Sequence, residues 1–220
     1  MKKLFLLPGF GEDGFCFDEI RSGFEKYEVI DIDYRPVLNR FVFPFITRYQ
    51  FALQLIKYYN INPHDKLIGH SMGGYFSFQI REIQGNDICM VGAFSDPKKL
   101  IHFMPKFPRF SQLMAISGII KTDYTKQNLT VRSKDEKIRK ALTKAIDNFK
   151  TFSNIQLAKM SEMCYVDEIP SSKPNPLRIH DKGDRVVAPP DEPYVQIGGG
   201  HFPIQVFPQE TLEMMKDFLK

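Results

Sequence analysis

The sequence predicts an α/β architecture: a mostly parallel central sheet of about six strands, flanked by helices and carrying a helical cap insertion. Three observations predict it. Short apolar runs bounded by Gly and Pro alternate with segments whose apolar residues recur at helical spacing. Such alternation implies a parallel sheet covered on both faces. Strand candidates such as Asp87–Phe94 are apolar almost throughout, as strands buried on both faces are. The chain has 220 residues, 43% hydrophobic and 25% charged, an ordinary globular balance and enough for one large domain over 1–220.

Taken in order, Lys3–Leu7 is a short apolar run ended by Pro8-Gly9 and reads as a buried strand. Glu28–Tyr34 alternates and reads as a second strand, and Phe45–Tyr59 spaces Phe51, Leu55, Ile56 and Tyr59 as a helix does, ending near Asn62-Pro63. Lys66–Gly69 is a third strand followed at once by a helix over Ser71–Ile83; Asp87–Phe94 is the fourth strand. Pro176–His180 and Pro193–Ile197 are the fifth and sixth, and Phe207–Leu219 closes the chain as an amphipathic helix. Between strands four and five the alternation stops. The stretch 97–150 offers helices at Leu100–Phe103 and Asp135–Phe149 and little strand signal, as an insertion forming a lid would.

Composition excludes several classes. No stretch approaches the roughly 20 apolar residues of a membrane span. The start imitates a signal peptide, but its apolar run stops after four residues, Leu4 to Leu7, against roughly 7–15 in a signal core. Cys16, Cys89 and Cys164 are odd in number and widely spaced, which suits a reducing, cytoplasmic setting and gives no metal motif. The net charge of +4 does not mark a nucleic-acid binder, but it is unevenly spread: Lys98 to Lys150 holds 13 basic and 4 acidic residues, the remainder 17 and 22. That segment is either a solvated helical face or a surface attracting an anionic substrate, carrier or headgroup. Aromatic residues are 20 Phe and 9 Tyr with no Trp, which suits an apolar core, an apolar ligand pocket, or both.

The chemistry gathers at four places. Gly69-His70-Ser71-Met72-Gly73-Gly74 fits G-x-S-x-G where a strand ends and a helix begins, the turn that projects a serine hydroxyl from a sheet edge. A serine needs a base, and Gly198-Gly199-Gly200-His201 brings a histidine late in the chain onto the same edge. The histidine needs an acid to orient it; Asp184 is favoured over Asp181, at the end of the same strand, and Asp96, after strand four. The backbone N–H groups of Met72 and Phe10, the latter on Pro8-Gly9-Phe10-Gly11, would form an oxyanion hole.

With these motifs the chain resembles the α/β-hydrolase superfamily over nearly its whole length outside the insertion, and it is most similar to the small bacterial serine hydrolases of that group. The resemblance implies a serine hydrolase acting on a carboxylic ester or thioester without cofactor or metal. Three features depart from the family pattern: Pro8-Gly9 stands where many members have His-Gly, Asp181 stands where Gly is usual, and the strand before that turn begins at Lys3, so the first two strands of a full eight-stranded sheet are expected to be missing. Phe103, Phe107 and Phe110 in the insertion are candidates for an apolar acyl site, and the basic stretch fits an acyl group on an anionic carrier or an ester with a negative tail. Two other readings compete. Gly9-x-Gly11-x-x-Gly14, with Asp31 and Asp33 at the end of the next strand, fits a dinucleotide fingerprint, though Glu12 and Asp13 put negative charge where a pyrophosphate would lie. A non-catalytic small-molecule binder on the same scaffold would leave Ser71 unreactive.

Overall fold

A computed structural model describes residues 2–43, 46–101, 108–130, 135–164, 169–171 and 173–220. Six strands form one sheet, and all of them run parallel: β1 (Lys2–Leu7), β2 (Tyr27–Asp31), β3 (Lys66–His70), β4 (Asp87–Val91), β5 (Leu177–His180) and β6 (Val195–Gln196). They lie in the order β2-β1-β3-β4-β5-β6, so the order reverses between β1 and β3. Open α/β sheets bind ligands at the carboxyl ends of their strands beside such a reversal.

The apolar strands alternate between two cores. Phe5, Leu7, Leu67, Ile88 and Met90 face one layer, which holds α1 (Tyr34–Leu38), α2 (Arg48–Tyr59) and α3 (Met72–Gln84). Leu4, Leu6, Ile68, Cys89, Val91 and Ile179 face the other, packed against the 3₁₀ segment Gly14–Phe24 and the C-terminal residues Met215 and Phe218. Each fully buried Leu or Phe contributes about 1.5–3 kcal/mol, so strands buried on both faces are strongly held in register.

Between β4 and β5 the chain is helical among the described residues: α4 (Pro108–Ser117), α5 (Asp123–Thr130), α6 (Glu136–Asn148) and α7 (Asn154–Cys164). The helical stretch thus runs beyond residue 150. Helix α7 packs along α4 and sends Leu157, Ala158, Met160 and Met163 into the core. Two short helices, α8 (Pro203–Val206) and α9 (Pro208–Met214), close the chain.

Several boundaries differ from the sequence reading. Leu100 is not helical: after a single 3₁₀ turn at Pro97–Lys99 it forms an antiparallel bridge with Val187. Flanking bonds run from Ile101 N–H to Val186 O and from Ala188 N–H to Lys99 O. Residues 102 and 103 lie outside the described residues. Strand two stops at Asp31, because Asp33 caps α1 by accepting the N–H of Arg35. Strand four stops at Val91, where Gly92 turns to φ 54°. Among the described residues no helix is long and apolar enough to cross a membrane.

Candidate active site

The turn from β3 into α3 holds Ser71 at φ 52° and ψ −121°. A non-glycine residue there costs roughly 1–3 kcal/mol and persists only where its surroundings force it. They do: Ser71 N–H donates to Val91 O on β4 at 3.0 Å, and Gly74 N–H donates to Ser71 O at 3.0 Å. The turn also demands glycine. A Cβ on Gly69 would stand 2.4 Å from Gly74 N, and one on Gly73 would stand 1.9 Å from Leu7 O. The N-terminus of α3 thus lies directly on the end of β1, beside the Pro8–Gly11 turn.

His201 reaches the same edge through Gly199 and Gly200, both at positive φ (101° and 62°). Its Nε2 is 2.9 Å from Ser71 Oγ and its Nδ1 is 2.8 Å from Asp184 Oδ2. A carboxylate only accepts, so Nδ1 carries the proton and Nε2 is left to accept the Ser71 hydroxyl. Asp184 is buried and fully bonded: Oδ1 accepts the N–H groups of Val186 (2.7 Å) and Val187 (3.1 Å). Burial alone would raise its pKa, but the neighbouring His201 and these three donors outweigh burial and hold the carboxyl below the usual range.

The other candidate acids do not meet the His201 ring, and His180 lies behind Asp184, its Nε2 3.8 Å from Oδ2. Asp181 Oδ2 accepts Gly200 N–H at 2.6 Å and its Oδ1 accepts Gly183 N–H at 2.7 Å, so it shapes the loop of His201 without touching the ring. Asp96 caps the Pro97–Lys99 turn through Lys98 N–H. His180 donates from Nε2 to Val187 O at 3.1 Å, and its pKa is lowered by burial.

Met72 is the first residue of α3 and is buried. On the opposing turn, Gly9 N–H donates to Glu12 Oε2 at 2.8 Å, which leaves Phe10 N–H as the next donor along that turn. Phe10 meets Phe149 edge to face, with ring centroids 5.6 Å apart, and Asn148 Nδ2 donates to Gly11 O at 2.8 Å. The end of α6 therefore rests on this turn. Ser71 is only 9% exposed, and two surface depressions of about 520 and 340 Å³ lie along α6 rather than over it. Phe110 sits on α4 and is 46% exposed; Phe103 and Phe107 lie outside the described residues.

One constellation was missed in the sequence. Glu12 folds inward beneath the Pro8–Gly11 turn, and its Oε2 is 2.8 Å from His70 Nδ1; His70 Nε2 is 2.8 Å from His201 O. The register explains the meeting: Leu7 pairs with Gly69, so the segments after β1 and β3 leave the sheet side by side. Glu12, Cys16 and His70 bring one ligand-type atom each within 4.8 Å of one another, the spacing of a metal group among the described residues. The donor set argues for hydrogen bonds instead. Oε2 already accepts the N–H of Gly9 and faces His70 Nδ1, and burial first, then Glu12, pushes the Cys16 thiol well up.

No protein-family model matches the sequence, and no curated protein does. Solved structures do match in fold. A thermophilic esterase from Thermogutta terrifontis shares 16% identity at a TM-score of 0.74, over 100% of this chain and 89% of that one. An esterase from Exiguobacterium antarcticum shares 12% at 0.71, over 100% and 92%. The enol-lactonase from Burkholderia xenovorans LB400 shares 15% at 0.67, over 99% and 91%. With the all-parallel six-stranded sheet, the strained serine turn after β3 and near-complete coverage of these structures, the chain has the α/β-hydrolase fold.

Proposed function

We propose that the protein is a serine hydrolase that cleaves a carboxylic ester or thioester through an acyl-enzyme. The observation that carries this reading is the chain Ser71 Oγ–His201–Asp184, joined at 2.9 and 2.8 Å on a strained strand-to-helix turn. His201 Nε2 takes the Ser71 proton as Oγ attacks the acyl carbonyl, and the imidazolium is stabilised by the buried Asp184 carboxylate. The backbone N–H groups of Phe10 and Met72 receive the oxyanion; one such donor is worth about 2.7–4 kcal/mol in the transition state. His201 then protonates the leaving alkoxide or thiolate, water attacks the acyl-Ser71 with His201 again as base, and the carboxylic acid departs. Esterases and a lactonase on the same fold agree with acyl chemistry. Phe10 and Phe149 above the turn supply apolar surface for an acyl group, and the basic stretch around α6 favours a substrate with a negative tail.

The dinucleotide alternative lacks room. A Cβ on Gly11 would stand 2.2 Å from the Phe149 ring and one on Gly14 would stand 2.8 Å from the Asp31 carboxylate, so protein already fills the space beside both glycines. The test is a panel of p-nitrophenyl esters and acyl-CoA thioesters of increasing chain length. Hydrolysis and fluorophosphonate labelling of Ser71 are expected in the wild type. Ser71→Ala should abolish both with an unchanged melting temperature; comparable turnover by that variant would overturn the mechanism.

A further inference from the structure

The buried Glu12–His70 pair is not used by the chemistry above, yet it touches two parts of the site, the turn after β1 and the His201 loop. Its hydrogen bonds assign the protons. The carbonyl of His201 can only accept, so His70 Nε2 carries a hydrogen. Glu12 Oε2 receives Gly9 N–H and faces His70 Nδ1 at the same 2.8 Å. Burial opposes both charges, yet their mutual attraction and the hydrogen bonds outweigh it: the Glu12 carboxyl is held below the usual range and the His70 imidazole above its own. Two N–H groups converging on one Glu12 oxygen, with the His201 carbonyl accepting from Nε2, is the geometry of an imidazolium paired with a carboxylate. The rings of His70 and His201 are 5.1 Å apart, and Phe202 packs against both. The groups facing His70 are Glu12 and Cys16 on one side and His201 on the other, with Asp184 behind; His201 in turn faces Asp184, Ser71 and His180.

We propose that Glu12 and His70 are positioning residues: an ion pair that locks the oxyanion turn, through Gly9, to the loop of the base, through the backbone carbonyl of His201. The inference rests on the hydrolase reading. One carboxylate oxygen holds the turn after β1, and the imidazolium it binds holds the turn before α8, so donor and base keep their spacing across the nucleophile. A fixed point is needed there, because Gly199 and Gly200 leave the His201 loop conformationally permissive on its other side.

The experiment is a double-mutant cycle of Glu12→Gln and His70→Asn, read by kcat, KM, the acid limb of the kcat–pH profile and imidazole ¹⁵N spectra. Each single variant should lower kcat by about 10²-fold with KM little changed, the scale of a small misplacement of catalytic groups. His70→Asn leaves an uncompensated carboxylate near His201 and should move the acid limb to higher pH. Glu12→Gln should not move it upward, and the double variant should return it to the wild-type position while kcat stays low. A structural role alone predicts no such charge-dependent restoration. Wild-type kcat in both single variants overturns the proposal, as does an acid limb that fails to return in the double variant. If one single variant does not fold, the other and the wild-type spectra decide. Failure of the hydrolase reading is seen separately, as no fluorophosphonate labelling of wild-type Ser71. In that case the spectra alone decide: a doubly protonated His70 whose loss shifts the His201 resonances supports the lock, and a neutral His70 overturns it.

Discussion

The sheet edge and the helical cover above it are built to different standards. Around Ser71, the side chains of Leu7, Ile68, Val91 and Asp184 are 4% exposed or less, and Asp184 and Glu12 each meet several donors. On the cover, Leu113 is 63% and Tyr124 74% exposed, and pairs such as Lys126–Asp147, Lys140–Glu136 and Lys150–Asp123 lie at the surface. Exposed pairs of that kind are screened by solvent and contribute little. The difference teaches where precision resides: groups joined at hydrogen-bond distance sit at the ends of buried strands, whereas the helices between β4 and β5 carry exposed faces that can change at little cost in stability.

The comparison breaks most sharply at the acid. Asp184→Asn should lower kcat by about 10⁴-fold, the scale for losing the group that orients a catalytic histidine. Asp181→Asn, which loosens the Gly183 and Gly200 N–H groups and the Gln196 amide, should cost far less. Steady-state kinetics on one ester measures both, and a larger loss at Asp181 would reverse the assignment. A second test strikes where the regions meet. Gly11→Ala puts a Cβ 2.2 Å from the Phe149 ring at φ 66°, and should destabilise by more than the about 1–2 kcal/mol of left-handed strain alone. Adding Phe149→Ala should recover the clash but not the strain, as read from denaturant midpoints.

A third prediction concerns pH. The folded pKa of Glu12 is depressed, so its contribution is present above the free carboxyl value of 4.5 and is lost as pH falls through the folded pKa. The folded pKa of His70 is raised, so its contribution is complete below 6.5 and is lost as pH rises through the folded pKa. Between those two values the pair stabilises fully, and stability should decline on both sides; urea midpoints across pH should show this dome flattened in the Glu12→Gln/His70→Asn double variant. The smallest effect belongs to the cover: Leu113→Ser should stay within about 0.5 kcal/mol of wild type in the same unfolding assay.

Much of this was legible in the sequence, for reasons that differ by residue. Strands β1, β3 and β4 are readable because burial on both faces leaves an uninterrupted apolar run. The Ser71 and His201 turns are readable because tight backbone approach requires glycines in a fixed pattern. Asp184 is favoured over Asp181 in the sequence without being fixed by it, since both follow the same strand and only the path of the loop decides which carboxyl meets the imidazole. Helix α7 escaped because it is buried nearly all round, with Gln156, Lys159 and Ser161 buried alongside Leu157 and Met160, so no apolar stripe marks it. Glu12 was read as a loop charge hostile to phosphate. Its inward turn depends on a histidine 58 residues away, and no local pattern carries that.

The antiparallel bridge of Leu100 with Val187 has a consequence for how such a molecule can diversify. The chain leaves for the cover just after being clipped, at Lys99 and Ile101, to the segment that follows Asp184, and it rejoins with Ile169 N–H bonded to Ser95 O. Both seams are stitched to the same rim. The helices between them are thus anchored at both ends, and changes are absorbed on their exposed faces rather than on the α7 face in the core or the α6 end that rests on the Pro8–Gly11 turn.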